Sequence, residues 1–186
     1  HCFGCGAHGD VIHYLTDAEK MPFMEAVEYL ANMAGLKIPK STPEEERNEQ
    51  HRKDLTAIME EACTFFQGQL FGLAGEKAKN YLIKRGISGT VAKQFRLGYA
   101  PNGSGLVQHL EAKGFNVKEA QKLGLVVKSE KTGQLHDYFY DRVMFPILDR
   151  RKRVIGFGGR MMEKGEPKYL NSPETDLFHK GEQLFE

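Results

Sequence analysis

Residues 142–180 read RVMFPILDRRKRVIGFGGRMMEKGEPKYLNSPETDLFHK. An apolar strand is predicted over Val143–Leu148, then a turn through the basic run Arg150–Arg153. A second apolar strand, Val154–Phe157, enters the glycines of GFGGR, and the stretch closes on KYLNSPET. It contains nine Lys and Arg against five Asp and Glu, a local net of +4, whereas the whole chain carries +1. Positive charge gathered on strands and glycine turns suits a groove that follows a polyanion. The plain alternative is a hairpin whose charges are merely solvated.

Working outward, the strand-like segments LVV, DYFY, VMFPI, VIGF and KYL fill the chain from Leu125 onward. The part before them is helical. Two helices are predicted between Asp10 and Ile38, with Pro22 in a first turn and Gly35 as a stop. The polar segment KSTPEEERNEQHRKD follows, with no apolar face, and reads as a linker or the exposed start of a helix. Thr42 before Pro43 and the glutamates is a candidate N-cap. Leu55, Ile58, Met59, Ala62, Phe65, Phe66 and Leu70 then recur with the period of a long amphipathic helix. Shorter helices are expected at Gly75–Arg85, Gly89–Phe95, Leu106–Lys113 and Val117–Leu123. Helices followed by a block of strands predict an α+β fold: a helical N-terminal half, then a mixed, mainly antiparallel sheet with helices.

The chain has 186 residues, enough for one or two domains with a sizeable core. No apolar run approaches the roughly 18 residues that cross a bilayer, and the start HCFGCG has no signal-peptide character. Three cysteines, two as C-x2-C, favour a reducing compartment, hence a cytoplasmic protein. Cys2 and Cys5 can both reach one tetrahedral zinc ion, with glycine easing the turn between them. One pair supplies only two of four ligands. A local site with His8 and His13 is spaced too tightly for a finger, and no βαβ pattern supports a redox pair. The remaining ligands are therefore expected upstream. Cys63, on the long helix with no cysteine or histidine close by in sequence, reads as a small buried apolar residue.

GFGG, with Gly156, Gly158 and Gly159, invites a phosphate-cradle reading, but Met161 takes the place of the last glycine of a G-x-G-x-x-G fingerprint. By itself the cluster reads as a bulge or tight turn in a sheet. Arg160 would emerge from it, and Lys168, Asn171 and Lys180 from the following strand and turn, all suited to phosphate or sugar. Tyr138, Phe139, Tyr140, Phe157 and Tyr169 are possible stacking rings, of which at most one is expected to meet a base. The acidic pairs Asp137 with Asp141 and Glu174 with Asp176 read as surface or turn acids.

These motifs resemble bacterial replicative DNA primases. HCFGCGAHGDV is similar to the second half of their zinc ribbon, YLIKRGIS with FRLGYAP to a second family motif, and RVMFPI, GFGGR and KYLNSPET with F-x-K to a third, nearly word for word. The resemblance spans essentially the whole chain. It implies a zinc-binding domain over 1–40 (C-terminal part only), a linker over 41–53, and the N-terminal, basic-groove subdomain of the RNA polymerase core over 54–186. It implies that Arg85, Arg160, Lys168, Asn171 and Lys180, with Arg142 as a weaker member, line the groove for template or nucleotide, and that Cys2 and Cys5 ligate structural zinc. Family members make short RNA primers on single-stranded DNA from ribonucleoside triphosphates, using Mg or Mn held by the Glu and Asp-x-Asp of a TOPRIM segment. They act at replication forks with the replicative helicase, which binds their C-terminal region. No D-x-D occurs here, and the chain stops at LFE, where that segment is expected to begin. These 186 residues alone are expected to bind single-stranded DNA and not to make primers. The competing reading is a non-catalytic, zinc-containing module that binds single-stranded nucleic acid.

Overall fold

A computed structural model of the chain describes Gly4, residues 8–36, 42–163, 165–179 and Gly181. Two compact units divide the chain at residues 1–46 and 47–186. The cysteine pair lies outside the described residues. In the first unit the Asp10 carboxylate accepts from the His13 backbone N–H at 3.0 Å and so caps α1 (Val11–His13). A π-helical turn over Tyr14–Ala18 follows, then α2 (Phe23–Met33) behind Pro22, and Gly35 at φ +66° ends the helical run. Thr42 forms a capping box: its backbone N–H donates to Glu45 at 2.7 Å, and Glu45 N–H donates back to the Thr42 hydroxyl at 3.2 Å. The predicted N-cap is therefore present, and the polar stretch after it is helical, forming the exposed first turns of α3 (Pro43–Phe71).

The second unit is built on the inner part of α3, where Leu55, Ile58, Met59, Ala62, Phe66 and Leu70 are buried. Next come α4 (Glu76–Lys84), α5 (Gly89–Gln94), β1 (Gly98–Ala100), α6 (Gly105–Ala112) and α7 (Val117–Lys122). The strands β2 (Val126–Lys128) and β3 (Leu135–Asp137) pair as a small antiparallel ribbon. The strands β4 (Arg142–Leu148), β5 (Val154–Met161) and β6 (Tyr169–Asn171) join β1 in a four-stranded antiparallel sheet of order β1-β4-β5-β6. The α+β expectation holds. One face of the sheet is covered by α3, α6 and α7 through a core containing Phe66, Phe139 and Phe157. The other meets α4 and α5 around Val143, Leu82 and Tyr99, and meets Phe178 around Ile147 and Ile155.

Three expectations need correction. GFGG is not a turn but lies inside β5; a register shift does fall at its start, where Ile147 pairs with Gly156 and Leu148 with Val154, so Ile155 of β5 is the extra residue and only the bulge half of the expectation holds. The glycines are there for closeness. A Cβ on Gly159 would come within 2.9 Å of Arg142 Cδ and 3.1 Å of the Phe139 ring, and one on Gly156 within 3.2 Å of Phe178. DYFY is not a strand: β3 stops at Asp137, after which Phe139 turns into the core. The GYA strand β1 was not foreseen, because three residues carry no alternation. Its place is set by Gly98, where a Cβ would lie 2.5 Å from Phe66 Cβ on α3.

Candidate nucleic-acid interface

Strand β5 delivers Arg160 to the face of the sheet that carries α4, in register between Val143 of β4 and Tyr169 of β6. Its guanidinium lies between two aromatic rings, 5.7 Å from the centroid of Tyr81 on α4 and 5.2 Å from that of Tyr169. Arg85, one helical turn beyond Tyr81, lies 5.4 Å from the same ring. Lys168 Nζ is 5.9 Å from the Tyr169 ring. Two tyrosines therefore hold three cations along the wall of one open cleft of about 1220 Å³. Its far side is lined by Met161, Met162, Glu163, Gly165, Glu166 and Pro167.

The balance of charge is uneven by design of the pairing. Glu163 on that far side is bound by Lys77 at 2.8 Å, and this partner raises the lysine's pKa. Arg85, Arg160 and Lys168 have no carboxylate partner among the described residues. Arg160 Nε is also buried without an acceptor. Glu166 also lines the cleft, so the three cations outnumber the acids left after the Lys77–Glu163 pair; that surplus and an unused donor suit phosphate oxygens, and an exposed ring such as Tyr169, 61% accessible, suits a base.

The residues singled out from sequence separate into groups. Arg85, Arg160 and Lys168 come together in the cleft. Asn171 is exposed on β6, its side-chain oxygen against Gly158, outside the cleft lining. Arg142 is 1% exposed; its Nη1 donates to the carbonyl of Pro167 at 2.8 Å and lies 3.5 Å from that of Lys168. It holds the backbone that carries Lys168. Lys180, like Cys2 and Cys5, lies outside the described residues. Of the five rings, Phe139 and Phe157 are core, Tyr138 packs against that core, and Tyr169 lines the basic cluster. Tyr81 escaped the sequence reading, although its i,i+4 spacing from Arg85 on a helix was a usable signal.

Two further residues complete the comparison, one read differently in sequence and one as found. Asp137 is no surface acid: it is 2% exposed, and its carboxylate accepts the N–H groups of Leu106 and Val107 at 2.9 and 3.0 Å, capping α6 from the end of β3. Burial pushes its pKa up, and those two hydrogen bonds only partly offset this. Cys63 is buried as expected, with its thiol pushed up to about 11 by desolvation, so it is not a reactive thiolate. Among the described residues no group of three or more His, Cys, Asp and Glu could hold a metal, and no helix is long and apolar enough to cross a membrane.

Comparison with known proteins agrees with this geometry. Residues 1–46 match the CHC2 zinc finger, and residues 65–186 match the DNA primase catalytic core, N-terminal domain. The DNA primase of Escherichia coli (strain K12) is 46% identical and that of Haemophilus influenzae 42%, in each case over 100% of this chain and 32% of the relative. The solved DnaG primase catalytic domain bound to ssDNA superposes with a TM-score of 0.68 at 41% identity, covering 73% of this chain and 44% of that one. The chain belongs to the DNA primase family, and it spans about a third of the length of the curated relatives it matches.

Proposed function

We propose that this chain is the template- and nucleotide-gripping part of a DNA primase that makes short RNA primers on single-stranded DNA. The observation that carries the reading is Arg160, clamped between Tyr81 and Tyr169 beside Arg85 and Lys168, none of the three cations in an ion pair among the described residues. Guanidinium groups grip phosphate bidentately, and lysine adds a movable charge. Fixed on tyrosine faces, they lose little freedom when a strand binds. Asn171 and Lys180 extend the contact to sugar or phosphate, and Arg142 positions Lys168 from behind.

The domain reading accompanies it: a zinc-binding part over 1–40, a connection over 41–53 and the basic-groove subdomain over 54–186. Cys2 and Cys5 fit zinc in kind, as two thiolates across a glycine turn, and supply two of the four donors of a tetrahedral site. Primer synthesis also takes ribonucleoside triphosphates and Mg or Mn. With no D-x-D in this sequence, the carboxylates for those ions belong to another part of the full-length protein, as does the contact with the replicative helicase. The setting is the cytoplasm, at replication forks. The test is binding of a fluorescent oligothymidylate to the chain and primer synthesis by the full-length protein. Arg160→Ala and Lys168→Ala should weaken the first and suppress the second; normal values in both assays sink the reading.

A further inference from the structure

The basic run Arg150–Arg153 takes no part in the cleft above, and the structure gives it a defined form. Asp149 organises the β4–β5 turn: one carboxylate oxygen accepts the N–H groups of Arg151 and Arg153 at 2.8 and 2.9 Å, and the other pairs with the Arg153 guanidinium at 2.7 Å. Lys152 is held at φ +60°, a left-handed conformation that costs a non-glycine residue energy. Asp149 thus uses both oxygens on the turn and on Arg153. Arg150, Arg151 and Lys152 are left exposed, with no ion-pair partner among the described residues. Against the turn lies a second cleft, about 450 Å³, lined by Arg52 of α3 together with Arg153, His51, His179 and Asp176. Arg52 is exposed, and no ion-pair partner of it is found among the described residues either.

We infer that the β4–β5 turn and Arg52 form a second phosphodiester contact for the same single strand that occupies the Arg85–Arg160–Lys168 cleft. The inference rests on the proposed template-binding reading. From Arg153 to Arg160 strand β5 covers about 23 Å at roughly 3.3 Å per residue, or some seven nucleotides at about 3.4 Å each. Between them, the face of β5 that bears Arg160 presents Gly158, Gly156 and Ile155, with Asn171 beside the first and the Phe178 ring packed on the other two. No acidic side chain of β5 interrupts that face. Arg52 lines this cleft beside Arg153, whose turn carries the exposed Arg150, Arg151 and Lys152; against them the cleft holds Asp176 and the Arg153-paired Asp149, so phosphate is attracted there as well.

The test compares oligothymidylates of about 3 and about 20 nucleotides, the shorter able to fill one cleft and the longer able to reach both even if the strand is stacked. Binding to this chain is followed by fluorescence anisotropy over a range of salt. In the triple variant Arg150→Gln, Arg151→Gln, Lys152→Gln, affinity for the short strand should stay within about twofold. Affinity for the long strand should fall on the order of tenfold, with a log–log salt slope shallower by about 2. No loss on the long strand, or an equal loss on both, overturns the second contact. Failure of the native chain to bind the short strand would instead overturn the first cleft. Should the triple variant lose its fold by circular dichroism, Arg52→Gln decides, since it leaves the turn untouched: a loss confined to the long strand supports the contact, and no loss rejects it.

Discussion

Arg142 and Arg160 are the same residue type one rung apart on paired strands, and they do opposite things. Arg160 faces the cleft with two rings for support; Arg142 faces the core and spends its charge on backbone carbonyls. Arg142→Ala leaves the Pro167 carbonyl unpaired and opens a buried void, which should cost about 2–4 kcal/mol. Differential scanning calorimetry should show it as a melting point lower by roughly 5–15 °C. Arg160→Ala and Lys168→Ala should move that melting point by no more than a few degrees while weakening binding of single-stranded DNA. If they unfold the second unit as well, the cluster is structural. Arg160→Lys sharpens the distinction: it keeps the charge and gives up the planar group, so affinity should still fall. Asp137→Ala removes both acceptors from the start of α6 and should destabilise by about 2 kcal/mol, visible as a lower urea midpoint with an unchanged slope.

Between elements, closeness is what the small residues secure. Gly98 lets β1 lie directly on α3, where an added Cβ would also stand 2.8 Å from the backbone carbon of Phe66. Helix and strand must separate to admit it, so Gly98→Ala should cost about 1–3 kcal/mol, again as a lower urea midpoint. A second tie runs through Glu60 of α3, which accepts the Val154 N–H at the start of β5 at 3.0 Å and pairs with Arg96 after α5. Desolvation pushes the Glu60 pKa up, but the Arg96 and Val154 hydrogen bonds outweigh it and hold it below its usual 4.5. The folded carboxyl thus binds its proton less readily than the unfolded one. The stability it contributes is present above that usual value and is lost as pH falls through the depressed one. Melting points of the native chain and of Glu60→Gln, measured from pH 7 downward, should converge below about pH 4.5; a constant gap contradicts the tie.

At the scale of the molecule, the chain combines a total charge of +1 with a surplus of +4 over residues 142–180, so its partner is selected by local field and not by net charge. Binding of single-stranded DNA should weaken steeply with salt, with a log–log slope of about −2 to −3.5 for three to five phosphate contacts, and a flat salt profile contradicts the groove. Much of this was readable from residue order alone. Helical spacing from Leu55 to Leu70 placed α3, and the apolar runs around Arg150–Arg153 placed the β4–β5 hairpin, because period and spacing are local properties. Three-dimensional closeness is not local. That GFGG is a strand interior, that Asp137 caps a helix thirty residues earlier in the chain, and that Tyr81 meets Tyr169 around Arg160 all depend on which faces the sheet turns toward α3 and α4. Sequence by itself determined the helices, the β4–β5 hairpin and the basic character of residues 142–180, but not β1 or the end of β3. Only the tertiary structure decided which of those cations is free to hold a phosphate, since packing on the two faces of one sheet buries Arg142 and leaves Arg160 in the cleft.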